Sequence, residues 1–353
     1  MLSSRVRIAR NLRDHTFPPE ACDPERQAVQ VAVRNAVREM PWGNMVHCIQ
    51  LDTLSPLERR VLEEKHLISP LCAEQSAHRL AILAHTGDFS LLVNEEDHLR
   101  IQAIRPGLRL REAWEITNNL EMSLREKLDF AYSEPDGYST TCSSNTGSGI
   151  RLSVMLFLPG LILGKRIKPL VQDLVTSGYA VRGLYGEGSH SQGYLLQISS
   201  LMAHREPAMD SIRKLEHLCA TIIAQEKRAR LHLLTFGRTP LSRRLARVCQ
   251  RLATAEQISF QTGMQMVALL RVGVSLGLKL RRLGKFDGKP ENRGRNLGEL
   301  DQLWTLIQPA HVLTADIPIE HDDEDRLRAL IIKRALGLGG VLCLHDSQNA
   351  HAK

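Results

Sequence analysis

Val93-Asn94-Glu95-Glu96-Asp97-His98-Leu99-Arg100-Ile101-Gln102 sets three consecutive carboxylates and an arginine into a stretch whose flanks alternate like a β-strand. Phe89, Leu91 and Val93 share one parity upstream, and Leu99, Ile101 and Ala103 continue it downstream. Successive strand side chains point to opposite faces, so this period turns Glu96, His98, Arg100 and Gln102 together onto the other face. One strand face then offers a base and a cation side by side. A solvated edge strand carrying charged gatekeepers has the same signature, and the rest of the chain decides between the two readings.

Composition narrows the class. A chain of 353 residues, 43% hydrophobic and 24% charged, has room for a large core and two domains. No apolar run reaches the length of a membrane span: Val154 to Gly164 is short and holds Pro159, and Met264 to Leu280 is broken by Arg271. The start, Met1-Leu2-Ser3-Ser4-Arg5, has no signal-peptide core, which implies a cytoplasmic address. The seven cysteines are scattered without a C-x-x-C pair, which argues against a disulfide framework and a zinc site. A net charge of +7 favours anionic partners. The basic residues are dispersed, however, and only 4% of residues are aromatic, so nucleotide phosphates account for the balance and nucleic acid is disfavoured.

Along the chain, Asp23-Pro24-Glu25 opens a helix to about Met40, with Asp23 as N-cap, and Ser55-Pro56-Leu57-Glu58 is a capping box for a second helix ending near Lys65. Strand-like segments follow at Ala81 to Ala84, Phe89 to Val93, Leu99 to Ile104, Arg151 to Leu158 and Tyr179 to Gly183. Helical patterns lie between them near Leu108 to Leu128 and Ile167 to Ser177. These predict an α+β domain with a mainly antiparallel sheet. From about Asp210 the period becomes helical throughout, which predicts an all-helical second domain; the domains are expected at 1–230 and 231–353. The Gly-rich basic loop Arg281 to Arg295 is expected to be a solvated linker.

Four more segments join the acidic one. Ser3-Ser4-Arg5-Val6-Arg7-Ile8 alternates, so Arg5 and Arg7 share one side of an extended segment. Thr141-Cys142-Ser143-Ser144-Asn145-Thr146-Gly147-Ser148-Gly149-Ile150-Arg151 is a small, Gly-punctuated turn that opens a strand, a backbone able to approach a ligand closely. Arg182-Gly183-Leu184-Tyr185-Gly186-Glu187-Gly188-Ser189 ends another strand in a Gly-rich loop, and Lys65-His66-Leu67 closes the second helix.

Together these motifs, in this order, resemble the phosphagen (ATP:guanido) kinases, and within them the protein-arginine kinases of the McsB type. The resemblance extends to Leu270-Arg271-Val272-Gly273 and Gln308-Pro309-Ala310-His311 in the helical half. It implies a phosphagen-kinase-like catalytic domain that binds ATP with Mg2+. It carries nucleotide binding onto Ser3, Ser4, Arg5, Val6 and Arg7, onto His66 and Arg100, onto Arg151, Leu152, Ser153, Val154 and Met155, and onto Arg182, Gly183, Leu184, Tyr185, Gly186 and Glu187. It carries the guanidinium carboxylates onto Glu96 and Glu187 and the reactive cysteine onto Cys142, and it assigns no metal-ligating side chain. As partners it implies arginine-bearing protein substrates, an activator protein, a Clp-type protease system and a second copy of the chain.

The chemistry asks for such a set. Phosphoryl transfer needs positioning and a cationic cage, which five arginines supply. A guanidinium of pKa about 13.8 is neutral at pH 7 in about one molecule in ten million, a deficit of roughly 9 kcal/mol. The two carboxylates are therefore expected to orient it and to accept its proton only as the N–P bond forms. Phosphagen kinases of free guanidino compounds carry a helical domain ahead of the Ser-x-Arg-Val-Arg segment, whereas only Met1 and Leu2 precede Ser3 here, so an arginine presented on a protein is the expected acceptor. A non-catalytic phosphoarginine-binding adaptor and a kinase of a free guanidino compound are the alternatives. Relatives of this type read Cys-Pro-Thr-Asn at Cys142-Ser143-Ser144-Asn145 and Gly-Ser-Glu-Ala at Gly188-Ser189-His190-Ser191. Where they carry an Arg-Asp-x-x-Arg-Ala phosphoarginine pocket, this chain has Glu324-Asp325-Arg326-Leu327-Arg328-Ala329. An acid in place of the first arginine is expected to weaken or abolish phosphoarginine binding there.

Overall fold

The computed structural model describes residues 2–183, 192–201, 206–278, 293–315 and 323–338. Leu184, Tyr185, Gly186, Glu187, the Gly188 to Ser191 segment and most of the Arg281 to Arg295 loop lie outside them. In chain order the elements are β1 (Ser3–Arg10), α1 (Asp23–Arg38), β2 (Val46–Gln50), α2 (Pro56–Glu64), α3 (Pro70–Glu74), β3 (Leu80–Ala84), β4 (Phe89–Val93) and β5 (Leu99–Pro106). Next come α4 (Leu110–Arg125), β6 (Tyr132–Ser133), β7 (Gly137–Tyr138), β8 (Ile150–Phe157), α5 (Pro159–Leu163), α6 (Ile167–Thr176), β9 (Ala180–Arg182) and β10 (Leu195–Leu201). The helices α7 (Ala208–Phe236), α8 (Arg238–Thr254), α9 (Phe260–Ser275), α10 (Arg293–Leu306), α11 (Pro309–Leu313) and α12 (Glu324–Ala335) complete the chain. It divides into two compact units, Met1–Ser191 with Leu195–Ala229, and Gln192–Tyr194 with Arg230–Lys353.

Among the described residues the first unit holds an eight-stranded sheet in the order β2-β3-β4-β5-β1-β8-β10-β9, antiparallel at every pairing. Directly opposed residues of an antiparallel pair share a face, so the register sorts the side chains. One face carries Val6 and Ile8 of β1, Leu99 and Ile101 of β5, Leu152, Val154 and Leu156 of β8 and Ile198 of β10, all buried. Amphipathic α1, α4 and α7 cover it with Val29, Val33, Leu120, Leu124, Ile212 and Leu215. The other face is divided. At its β3–β4 end Ala81, Leu83 and Leu92 are packed under the α2–α3 segment by Leu51, Ile68 and Cys72. Across β5, β1, β8, β10 and β9 it is polar.

The local signals act as their chemistry dictates. Ser55 Oγ accepts the Glu58 N–H at 3.3 Å and the Glu58 carboxylate accepts the Ser55 N–H at 2.8 Å, the expected capping box. At α1 the N-cap is Cys22, one residue before the expected Asp23, and Glu25 accepts the Cys22 N–H at 2.7 Å. β2 and β10 carry no clear sequence signal: the first is an edge strand with exposed His47 and Cys48, and the Ser199-Ser200 pair interrupts alternation in the second. In the second unit α9 buries Met264, Met266, Val267, Leu269, Leu270 and Val272, residues that fall all round its circumference, and it is thus a central helix.

The quoted stretch is not one strand. Val93 and Leu99 pair directly, and residues 94–98 form the turn of a β4–β5 hairpin. A five-residue turn between paired residues preserves odd and even parity, so the alternation runs on through a reversal of the chain. It places Arg100 and Gln102 correctly on the face opposite Leu99 and Ile101, and it misplaces Glu96 and His98, which belong to the turn.

Candidate active site

The register brings the arginines together. Arg7 of β1 stands opposite Arg151 of β8 and Gln102 of β5, and Ala9 stands opposite Arg100. Arg5 stands opposite Ser153, whose Oγ accepts from Arg5 Nε at 3.4 Å. Through Met155 and Gln197 the same face reaches Arg182 on the edge strand β9. Ser3, Arg5, Arg7, Arg100, Arg151, Ser153, Met155 and Arg182 therefore share the open polar face. Ser4, Val6, Leu152 and Val154 do not: their side chains point to the opposite face and are fully buried, and only their backbone lies along the polar one. Ser4 Oγ is spent on Gly107 O, at 2.8 Å, and on the Arg109 N–H, at 3.0 Å. His66 sits where α2 ends, in a left-handed conformation (φ 59°), and its carbonyl accepts from Gln102 Nε2 at 2.8 Å.

These cations repel one another. Loss of water, then Arg5, Arg100 and Arg151, push Arg7 down to about 8, and loss of water with Arg100 and Arg151 pushes Arg5 down to about 10. Arg7 Nε and Arg100 Nε are buried without a hydrogen-bond partner among the described residues. Nearby carboxylate comes from Glu95, which accepts from Arg100 Nη1 at 2.7 Å. A half-buried set of arginines with buried donors left open is built for a polyanion.

The hairpin turn sets a carboxylate beside them. Asn94 takes a left-handed conformation (φ 57°), and its side chain donates to Arg26 O at 2.8 Å and His78 O at 3.0 Å. Glu95, Asp97 and His98 are buried, and Glu96 alone is exposed at the tip. Glu96 lines a cleft with Arg7, Arg100, Arg151, Asn145 and Gly149. The walls of that cleft and the neighbouring Asp97 and Glu95 hold its carboxyl above the usual range.

The small loop of residues 141–149 forms the far wall. Gly149 has φ 64°, and a Cβ there would fall 2.7 Å from Ala9 O and 2.6 Å from Arg10 Nη1, so only glycine fits. Arg10 is buried with the guanidinium over the Tyr138 ring at 3.4 Å, its Nε on Glu121 at 2.9 Å and its Nη1 on Ser148 O at 3.0 Å. The Cys142 carbonyl accepts from Thr140 Oγ1 at 2.8 Å and from the Asn145 N–H at 2.9 Å. Asp97 joins the two walls, since its Oδ1 accepts the Thr141 N–H at 2.7 Å. Sequence reading missed Asn11, Arg10, Asp97 and Glu121 because their partners are distant in the chain: Asn11 and Asp97 are 86 residues apart.

In the helical unit Arg328 is fully buried and internally engaged. Its Nε donates to Ile307 O at 2.9 Å, its Nη1 to Ile258 O at 3.2 Å and Asp325 Oδ1 at 2.5 Å, and its Nη2 to Glu324 Oε2 at 3.2 Å.

Comparison with known proteins agrees with this geometry. Residues 28–229 match the model of the ATP:guanido phosphotransferase, C-terminal catalytic domain. A protein-arginine kinase of Brevibacillus brevis is 39% identical over 79% of this chain and 78% of its own length. Another, from Halalkalibacterium halodurans, is 35% identical over 96% of this chain and 92% of its own. Among solved structures, lombricine kinase shares the fold at TM-score 0.56 and 21% identity, over 64% of this chain and 66% of that one. The chain belongs to the ATP:guanido phosphotransferase family and, within it, to the protein-arginine kinases.

Proposed function

We propose that this protein transfers the γ-phosphoryl group of ATP to a guanidinium nitrogen of arginine residues in proteins. The observation that carries the reading is the cleft in which one exposed carboxylate, Glu96, meets Arg7, Arg100 and Arg151. Arg5, Arg7, Arg100, Arg151 and Arg182 hold the triphosphate, and the orphaned Nε donors of Arg7 and Arg100 fit phosphate oxygens. Among the described residues no group of three His, Cys, Asp or Glu could cage a metal. Mg2+ would be held by the phosphates and water, as suits a small cation that dehydrates reluctantly, and would neutralise charge on the transferring group.

Glu96 pairs with the target guanidinium, aims one nitrogen at the γ-phosphorus and takes its proton as the N–P bond forms. Its raised pKa improves it as a base for that late transfer. Glu187, outside the described residues, supplies the second carboxylate by resemblance, and Cys142 tunes the guanidinium from the opposite wall. The resemblance also supports a homodimer, an activator protein, a Clp-type protease system and cytoplasmic residence as parts of this proposal. No helix among the described residues is long and apolar enough to cross a membrane.

The test is a transfer assay with Mg·ATP and either a cationic unfolded protein or free arginine as acceptor. Transfer to the protein is expected, with Glu96→Gln and Glu187→Gln each retaining ATP binding and losing about 100-fold or more in kcat. Transfer to free arginine alone, or full activity in Glu96→Gln, contradicts the reading.

A further inference from the structure

The turn that presents Glu96 is tied down by a residue outside it. Asn11 follows the last residue of β1 and is 1% exposed. Its Oδ1 accepts the His98 N–H at 2.8 Å, and its Nδ2 donates to Asp97 Oδ1 at 2.7 Å and to Ser139 O at 3.3 Å. Both ends of this side-chain amide therefore tie two segments together, the Glu96 turn and the residues between β7 and the Cys142 loop. Asp97 Oδ1 also accepts the Thr141 N–H at 2.7 Å. The covalent neighbour of Glu96 is thus hydrogen-bonded to the covalent neighbour of Cys142, and Asn11 orients the carboxylate that makes the bond. Nothing in the secondary structure requires this arrangement, since the ladder between β1 and β5 ends at Arg10 and Leu99.

We propose that Asn11 is a positioning residue for phosphoryl transfer, locking the Glu96 turn and the Cys142 loop in one register so that both face the guanidinium at fixed spacing. The inference rests on the arginine-kinase reading above. In-line transfer tolerates little displacement: a shift of about 1 Å costs on the order of 100-fold in rate. The arginine face is built from the strands themselves and does not depend on Asn11, so nucleotide affinity separates from turnover.

Asn11→Asp keeps the shape and the acceptor for His98 but sets two carboxylates against each other. Asp97→Asn is the control, because its amide oxygen in the Oδ1 position can accept from both Asn11 Nδ2 and the Thr141 N–H, and Asn11→Ala removes the ties without adding a charge. Transfer to protein is measured alongside the KM for ATP and the melting temperature. Asn11→Asp and Asn11→Ala are each expected to lose about 100-fold in kcat with KM for ATP unchanged, and Asp97→Asn to stay within about fivefold of wild type. A folded Asn11→Asp or Asn11→Ala within about twofold of wild type overturns the proposal, as does an Asp97→Asn no faster than Asn11→Asp when both melt at the wild-type temperature. If Asn11→Asp does not fold, Asn11→Ala decides: a loss of about 100-fold in kcat at unchanged KM for ATP supports the proposal, and a kcat within about twofold of wild type overturns it. A wild type that binds ATP and transfers nothing defeats the functional reading, whereas an active wild type beside a neutral Asn11→Asp defeats only the inference about Asn11.

Discussion

At His98 the backbone and ring are both committed. Its Nδ1 accepts the Leu12 N–H at 3.0 Å, which puts the ring proton on Nε2, 3.0 Å from Thr16 O. Burial above all pushes the imidazole down to about 4. The unfolded chain binds a proton near pH 6.5 that the folded one excludes until about 4, so this group's contribution is complete above pH 6.5 and is lost as pH falls through that window. The loss amounts to up to about 3 kcal/mol. Urea titrations between about pH 7.5 and about pH 4.5, which span that window, should show a falling wild-type midpoint and a shallower fall in His98→Asn; equal slopes refute the assignment. None of this was legible in the sequence, where His98 looked like one polar position of a strand. Asn94 was the available clue, because asparagine tolerates the left-handed conformation that reverses the chain.

The sheet is the element that gathers the site, and here sequence reading went further. Alternation in Ser3 to Ile8 and from Leu99 onward correctly separated Arg5, Arg7, Arg100 and Gln102 from the apolar positions. It could not show that Arg7 faces Arg151, since register between strands so far apart in the chain is set by packing and not by period. That register crowds like charges, a cost held in the folded protein for the sake of binding. Arg7→Met should therefore raise the stability of the nucleotide-free protein by about 1–2 kcal/mol while abolishing most of the thermal shift produced by Mg·ATP. Scanning calorimetry with and without nucleotide checks both, and a variant that is less stable yet still shifted by ATP contradicts the shared cationic face.

At the scale of the molecule, the change from strand to helix patterns near Asp210 marks where α7 begins, and the two compact units divide at Ala229, within that helix. The altered pocket sequence belongs to the second unit. There Glu324 and Asp325 already neutralise Arg328, which has no surface of its own to offer an anion. Free phosphoarginine should accordingly bind the full-length protein weakly, with isothermal titration showing no saturation in the micromolar range; tight binding lost on mutation of Arg328 would contradict this. The proposed transfer belongs to the first unit, where Glu96 at the tip of a hairpin would direct a protein guanidinium at a phosphate held by five arginines. Its most direct test is incubation of the wild-type protein with Mg·ATP and a cationic unfolded protein, followed by mass spectrometry at neutral pH. The account predicts phosphate on arginine, stable at neutral pH and lost in acid; phosphate on serine, or none while ATP still binds, would contradict it.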